Sequence, residues 1–81
     1  MTLYEFTIIL AGVDVLTPEM GDALELAGID DATMGSSGGS VFLDFHREAG
    51  SLGQAIDSAM ADIGKAGFKV ARVEVEPVPA A

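Results

Sequence analysis

Asp44 and His46, two positions apart, put a carboxylate and an imidazole on one face of an extended segment. Metal binding or acid–base chemistry can be built from such a pair. His46 is the single histidine of the chain, and spacing fixes no third ligand beside it. A surface hydrogen bond is the simplest use of the pair. The run GSSGGS, Gly35 to Ser40, has the glycines of a phosphate loop without its flanking Lys, and reads as a flexible turn between strands. The loop AGVDVLT before the first helix holds one Gly and an Asp, which repels phosphate. Iron–sulfur and soft-metal centres need thiolates, and there is no Cys. No Ser–His–Asp set and no catalytic carboxylate pair can be argued from spacing. The expectation is therefore a protein that is not an enzyme and that takes no cofactor or metal.

What the chain does carry is charge. Thirteen acidic and four basic residues give −9, which opposes direct binding to a phosphate backbone. The distribution is polarised. Residues 1–46 hold eight acids and no Lys or Arg, a charge of −8; the remainder holds five acids and four bases, or −1. The stretch TPEMGDALELAGIDDA, Thr17 to Ala32, contributes Glu19, Asp22, Glu25, Asp30 and Asp31. Glu19 and Asp22 favour the positive end of a helix dipole, but Glu25, Asp30 and Asp31 come too late for that benefit. Crowded like charges repel one another, and a basic partner turns that repulsion into attraction and a fast encounter. These five carboxylates are the candidate partner-binding residues, facing a basic protein surface rather than nucleic acid.

Elements that position these groups follow from periodicity. LYEFTIIL, Leu3 to Leu10, alternates, with Tyr4, Phe6, Ile8 and Leu10 on one face. Thr17 caps a helix with Pro18 at its first position, and Met20, Ala23, Leu24 and Ala27 recur at helical spacing before Gly28 stops it. Ala32 to Met34 forms a short strand. VFLDFH, Val41 to His46, alternates again. Ser51 and Gln54 open a second helix with the stripe Leu52, Ala55, Ile56, Ala59, Ile63 and Ala66, closed by Gly67. Met20 and Met60 are read as core filler. A last strand over Phe68–Glu76 turns Ala71, Val73 and Val75 inward, and Pro77 and Pro79 end it.

The order β-α-β-β-α-β is that of the ferredoxin-like α+β fold, in which two helices cover one face of a four-stranded antiparallel sheet. The open face then carries Glu5, Thr7, Ile9, Phe42, Asp44, His46, Arg72 and Glu74. An RNA-binding sheet of this topology stacks bases on aromatics beside basic residues; here Phe42 stands among carboxylates. Eighty-one residues make one domain, expected over residues 1–77 with a frayed tail at 78–81. No apolar run reaches the roughly 18–20 residues of a membrane span, and no basic signal-peptide segment opens the chain. A cytoplasmic location, no membrane association, and a monomer or weak homodimer are expected.

The run from Ile29 to Pro77, with its DDA, LDF, REA, SL, AI and SA elements and terminal V-x-RVE, resembles the N-terminal unit of a bacterial family of small regulator or antitoxin-like proteins. The resemblance covers about Leu3 to Pro77. In that family the unit precedes a helix-turn-helix reader of DNA; with EPVPAA standing where that reader would begin, the expectation is a unit that works without it. The resemblance implies the fold, and a dimerisation or toxin-binding module as one function. In size, charge and fold the chain is also similar to small acidic anti-CRISPR proteins. That likeness implies a nucleic-acid mimic that inhibits a basic complex, a CRISPR effector complex being the specific expectation.

Overall fold

A computed structural model describes residues 2–75 of the protein. Alternating apolar residues draw Thr2–Ala11 into strand β1 and Ser40–Ala49 into β3, which pair antiparallel with Phe6 opposite Phe45. The two rings stack with centroids 5.2 Å apart. Ala32–Ser37 is β2, on the outer side of β3, and Lys69–Glu74 is β4, on the outer side of β1. The sheet order β2-β3-β1-β4, all antiparallel, is that of a ferredoxin-like fold, with the first and last strands adjacent. No helix among the described residues is long and apolar enough to cross a membrane.

Both helices, α1 at Pro18–Leu26 and α2 at Leu52–Lys65, begin and end as side-chain chemistry dictates. Thr17 Oγ1 accepts from the Met20 N–H at 3.3 Å, and Ser51 Oγ from the Gln54 N–H at 3.2 Å. At the C-termini Gly28 and Gly67 take positive φ. Each completes a Schellman motif: Ile29 N–H bonds to the Leu24 carbonyl, and Phe68 N–H to that of Ile63. That turn also buries Ile29 beside Leu24, a core residue that helical periodicity does not reveal.

One core forms between the helices and one sheet face. Phe6, Ile8, Leu10, Val41, Leu43 and Phe45 meet Leu24 from α1 and Ala55, Ala59 and Ile63 from α2. Ile56 and Met20 are only partly buried at its margin. Met60, expected inside, is 41% exposed.

Two local features depart from the sequence expectation. Only Gly38 and Gly39 of GSSGGS form the turn; their φ values of 58° and 80° suit a tight hairpin, and the remaining four residues lie in strands. In the β1–β4 pairing the register slips between Ile9 and Leu10 of β1, so that Ile9 pairs with Arg72 while Leu10 pairs with Val70. Ala71 is the extra residue of a β-bulge and is exposed, and the inward positions become Val70 and Val73. Val75 lies just beyond the strand and is exposed. The expected strand end at Glu76, the prolines Pro77 and Pro79, and the tail at 78–81 fall outside the described residues.

Candidate functional site

The acidic stretch divides in two once the chain is folded. On α1, Met20, Ala23 and Leu24 turn toward the core, and Leu24 is fully buried. Glu19, Asp22 and Leu26 follow one another at i, i+3 and i+7, so they share the outward face with Glu25 beside them. All four are exposed, and Leu26 is 90% exposed. Asp30 is exposed past the Schellman turn. Among the described residues none of Glu19, Asp22, Glu25 and Asp30 has an ion-pair partner.

Asp31 has a different environment. Its two carboxylate oxygens accept from Arg47, Oδ2 from Nε at 2.7 Å and Oδ1 from Nη2 at 2.9 Å. The absence of Lys and Arg from residues 1–46 had left Asp31 without a local base; folding supplies one from the very next residue. Arg47 continues the inward row Val41, Leu43, Phe45, and its guanidinium lies 5.1 Å from the Phe45 ring centroid. Its Nη1 donates to Ser58 Oγ at 3.0 Å and lies 3.1 Å from Asp62 Oδ2. The hydrogen bonds that Arg47 donates to Asp31 raise the Arg47 pKa above its ordinary value; burial opposes that shift, and the charge of Asp31 and the bond and charge of Asp62 reinforce it. Side-chain exposures of 11% for Arg47 and 26% for Asp31 make this an internal clamp joining β3, the α1–β2 connection and α2. The row's parity, 41, 43, 45, 47, is the sequence signal that turns Arg47 inward, though it does not name Asp31 as its partner.

Asp44 and His46 do lie on the open sheet face, as their spacing requires, but each engages β1 instead of the other. Thr7 Oγ1 donates to Asp44 Oδ1, and His46 Nδ1 lies 3.0 Å from Glu5 Oε1. Arg72 Nε meets Glu74 Oε2 at 2.8 Å on the same face. Ile9, nearly buried, is flanked by Phe42 and Arg72, and Phe42 lays its ring over Gly35 on β2. Among the described residues no three His, Asp or Glu side chains gather as a metal site.

Beside the α1 carboxylates runs a shallow groove lined by Ala23, Leu26 and Ala27 together with Lys65 and Ala66 from the end of α2. Among the described residues its walls are apolar apart from Lys65, the one charged side chain that lines it. Compared with protein-family models, with characterised proteins and with solved structures, the chain gives no match in any of the three.

Proposed function

We infer that this protein is a non-enzymatic binding domain that docks the outer face of α1 on a basic surface of another protein. The carrying observation is Leu26, 90% exposed at the C-terminal end of α1 beside Glu19, Asp22 and Glu25, none of which has an ion-pair partner among the described residues. In an interface such an apolar anchor seats in a pocket while the charged rim steers approach.

Carboxylates present clustered negative oxygens to Arg and Lys much as phosphates do. The partner class is therefore a protein whose basic groove otherwise holds nucleic acid, and the inhibitory action is competition for that groove. A CRISPR effector complex is the first to test, and the cytoplasm is the setting that this role requires. The experiment measures target-DNA binding by a purified effector complex with increasing amounts of this protein, at low and high salt. Displacement at low salt that weakens as salt rises is expected. Undiminished DNA binding at every protein concentration rejects the effector complex as the partner.

A further inference from the structure

The two edges of the sheet differ in a way that bears on self-association. An edge strand exposes unpaired N–H and C=O groups, and proteins guard such edges with charges, prolines or bulges. The β4 edge is guarded by Lys69, Arg72 and Glu74 and by the bulge at Ala71. β2 has none of these: its six residues are ATMGSS. It belongs to the run Ala32–Leu43, which contains no charged residue in a chain of net charge −9.

Hydrogen-bond parity identifies the free groups. His46 N–H donates to the Asp31 carbonyl at 2.9 Å, and Ser37 closes the tight hairpin opposite Ser40. The odd-numbered residues of β2 therefore bond to β3, and Ala32, Met34 and Ser36 turn their N–H and C=O groups to the outside.

We propose that the β2 edge pairs antiparallel with β2 of a second copy of this chain, joining the two sheets into one across a two-fold axis at Met34. Antiparallel pairing of a strand with itself is self-complementary, as an isologous interface requires. Met34 lies opposite the partner's Met34, and Ala32 opposite the partner's Ser36, so the free groups of each edge find bonds. The Met34 side chains, partly buried against each core, flank the axis, while Thr33 falls opposite the partner's Gly35, over which Phe42 is laid. Asp31, the nearest carboxylate on this strand, falls opposite the partner's Ser37 and is already neutralised by its own Arg47. Two molecules this acidic meet with least repulsion along their longest uncharged strip, which is why the occupant is a second copy.

Light scattering over a wide concentration range, combined with amide exchange, tests this pairing. The expected result is a mass that rises from 8.3 kDa toward twice that value, with slowed exchange at the Met34 and Ser36 amides, which have no strand partner among the described residues of the monomer. Added salt should raise the dimer fraction by screening repulsion, the reverse of its effect on docking through the α1 carboxylates. The two associations therefore fail separately. Met34→Pro removes an outward N–H and spares the β2–β3 ladder, although it also removes the Met34 contact with the core; Ser36→Glu, at an exposed position, puts a charge into the strip, keeps the backbone unaltered and is the deciding variant. Both should be monomeric with the far-UV circular dichroism of the parent. A parent that stays monomeric throughout, fast exchange at Met34 and Ser36 in a dimer, or a dimer that survives Ser36→Glu overturns the proposal.

Discussion

Arg47 grips Asp31 through two parallel hydrogen bonds, at 2.7 and 2.9 Å, and with its remaining nitrogen reaches Ser58 and Asp62 on α2. One guanidinium thus ties the α1–β2 connection and the second helix to β3. The same contact withdraws Asp31 from the set of freely presented carboxylates, so that Glu19, Asp22, Glu25 and Asp30 carry the outward charge. Asp31→Asn keeps the size of the side chain and loses the charge-assisted pair. It should destabilise by about 1–3 kcal/mol, the range for orphaning one partner of a partly buried bond. Asp22→Asn should fall within about 0.5 kcal/mol of the parent, as surface changes do. Equal midpoints for the two variants in urea denaturation would refute the clamp.

A second prediction separates two isoleucines of the same helix. Ile63 is fully buried between α2 and the sheet, whereas Ile56 is partly exposed at the core's edge. Ile63→Ala should cost about 2–5 kcal/mol, and Ile56→Ala clearly less, about 1–2 kcal/mol, because less surface is re-exposed and the site borders solvent. Thermal melts of the two variants measure the difference, and the reverse order would contradict this packing.

These comparisons show where one-dimensional patterns suffice. Alternation in Leu3–Leu10 and Val41–His46, and the caps at Thr17 and Ser51, are local signals, and they placed the strands and helices correctly. Ala71 defeated the same logic because a bulge adds one residue and reverses the parity behind it. The strands run into GSSGGS because two glycines alone make the turn. At the site, periodicity placed Glu19, Asp22 and Glu25 off the apolar stripe. It could not assign Asp31 its partner, since Arg47 is sixteen positions away and meets it only after β2 and β3 pair. Leu26 lies outside the stripe, and its meaning depends on which carboxylates surround it in three dimensions.

Gly35 supplies the third prediction. A Cβ built there would stand 2.7 Å from the Phe42 ring, closer than real contacts allow. Gly35→Ala should force that ring to swing toward solvent at a cost of about 1 kcal/mol. In a Phe42→Ala background the same change should cost nothing or even stabilise, since alanine suits a strand better than glycine does. Additive effects in this double-mutant cycle would show that the ring and Gly35 do not interact.

The last prediction dissects the α1 face. Replacing Glu19, Asp22, Glu25 and Asp30 by Gln or Asn leaves the apolar stripe and the Arg47 clamp untouched, so folding should persist, with a small gain in stability at low salt as repulsion falls. Partner affinity should drop chiefly through a slower association rate, by about tenfold or more at low ionic strength, and its salt dependence should flatten. Leu26→Ala should act on the other arm of the kinetics. An apolar anchor contributes after encounter, so association stays near the parent's rate while dissociation quickens. Asp57→Asn, an exposed change on α2, is the control; Asp62 is unsuitable because it holds Arg47. Surface plasmon resonance on the effector complex, run at several salt concentrations, resolves the two rates. If the complex binds the parent and the four-site variant binds with the same association rate, the carboxylates are only solvated surface and the complex is held by another face of the domain.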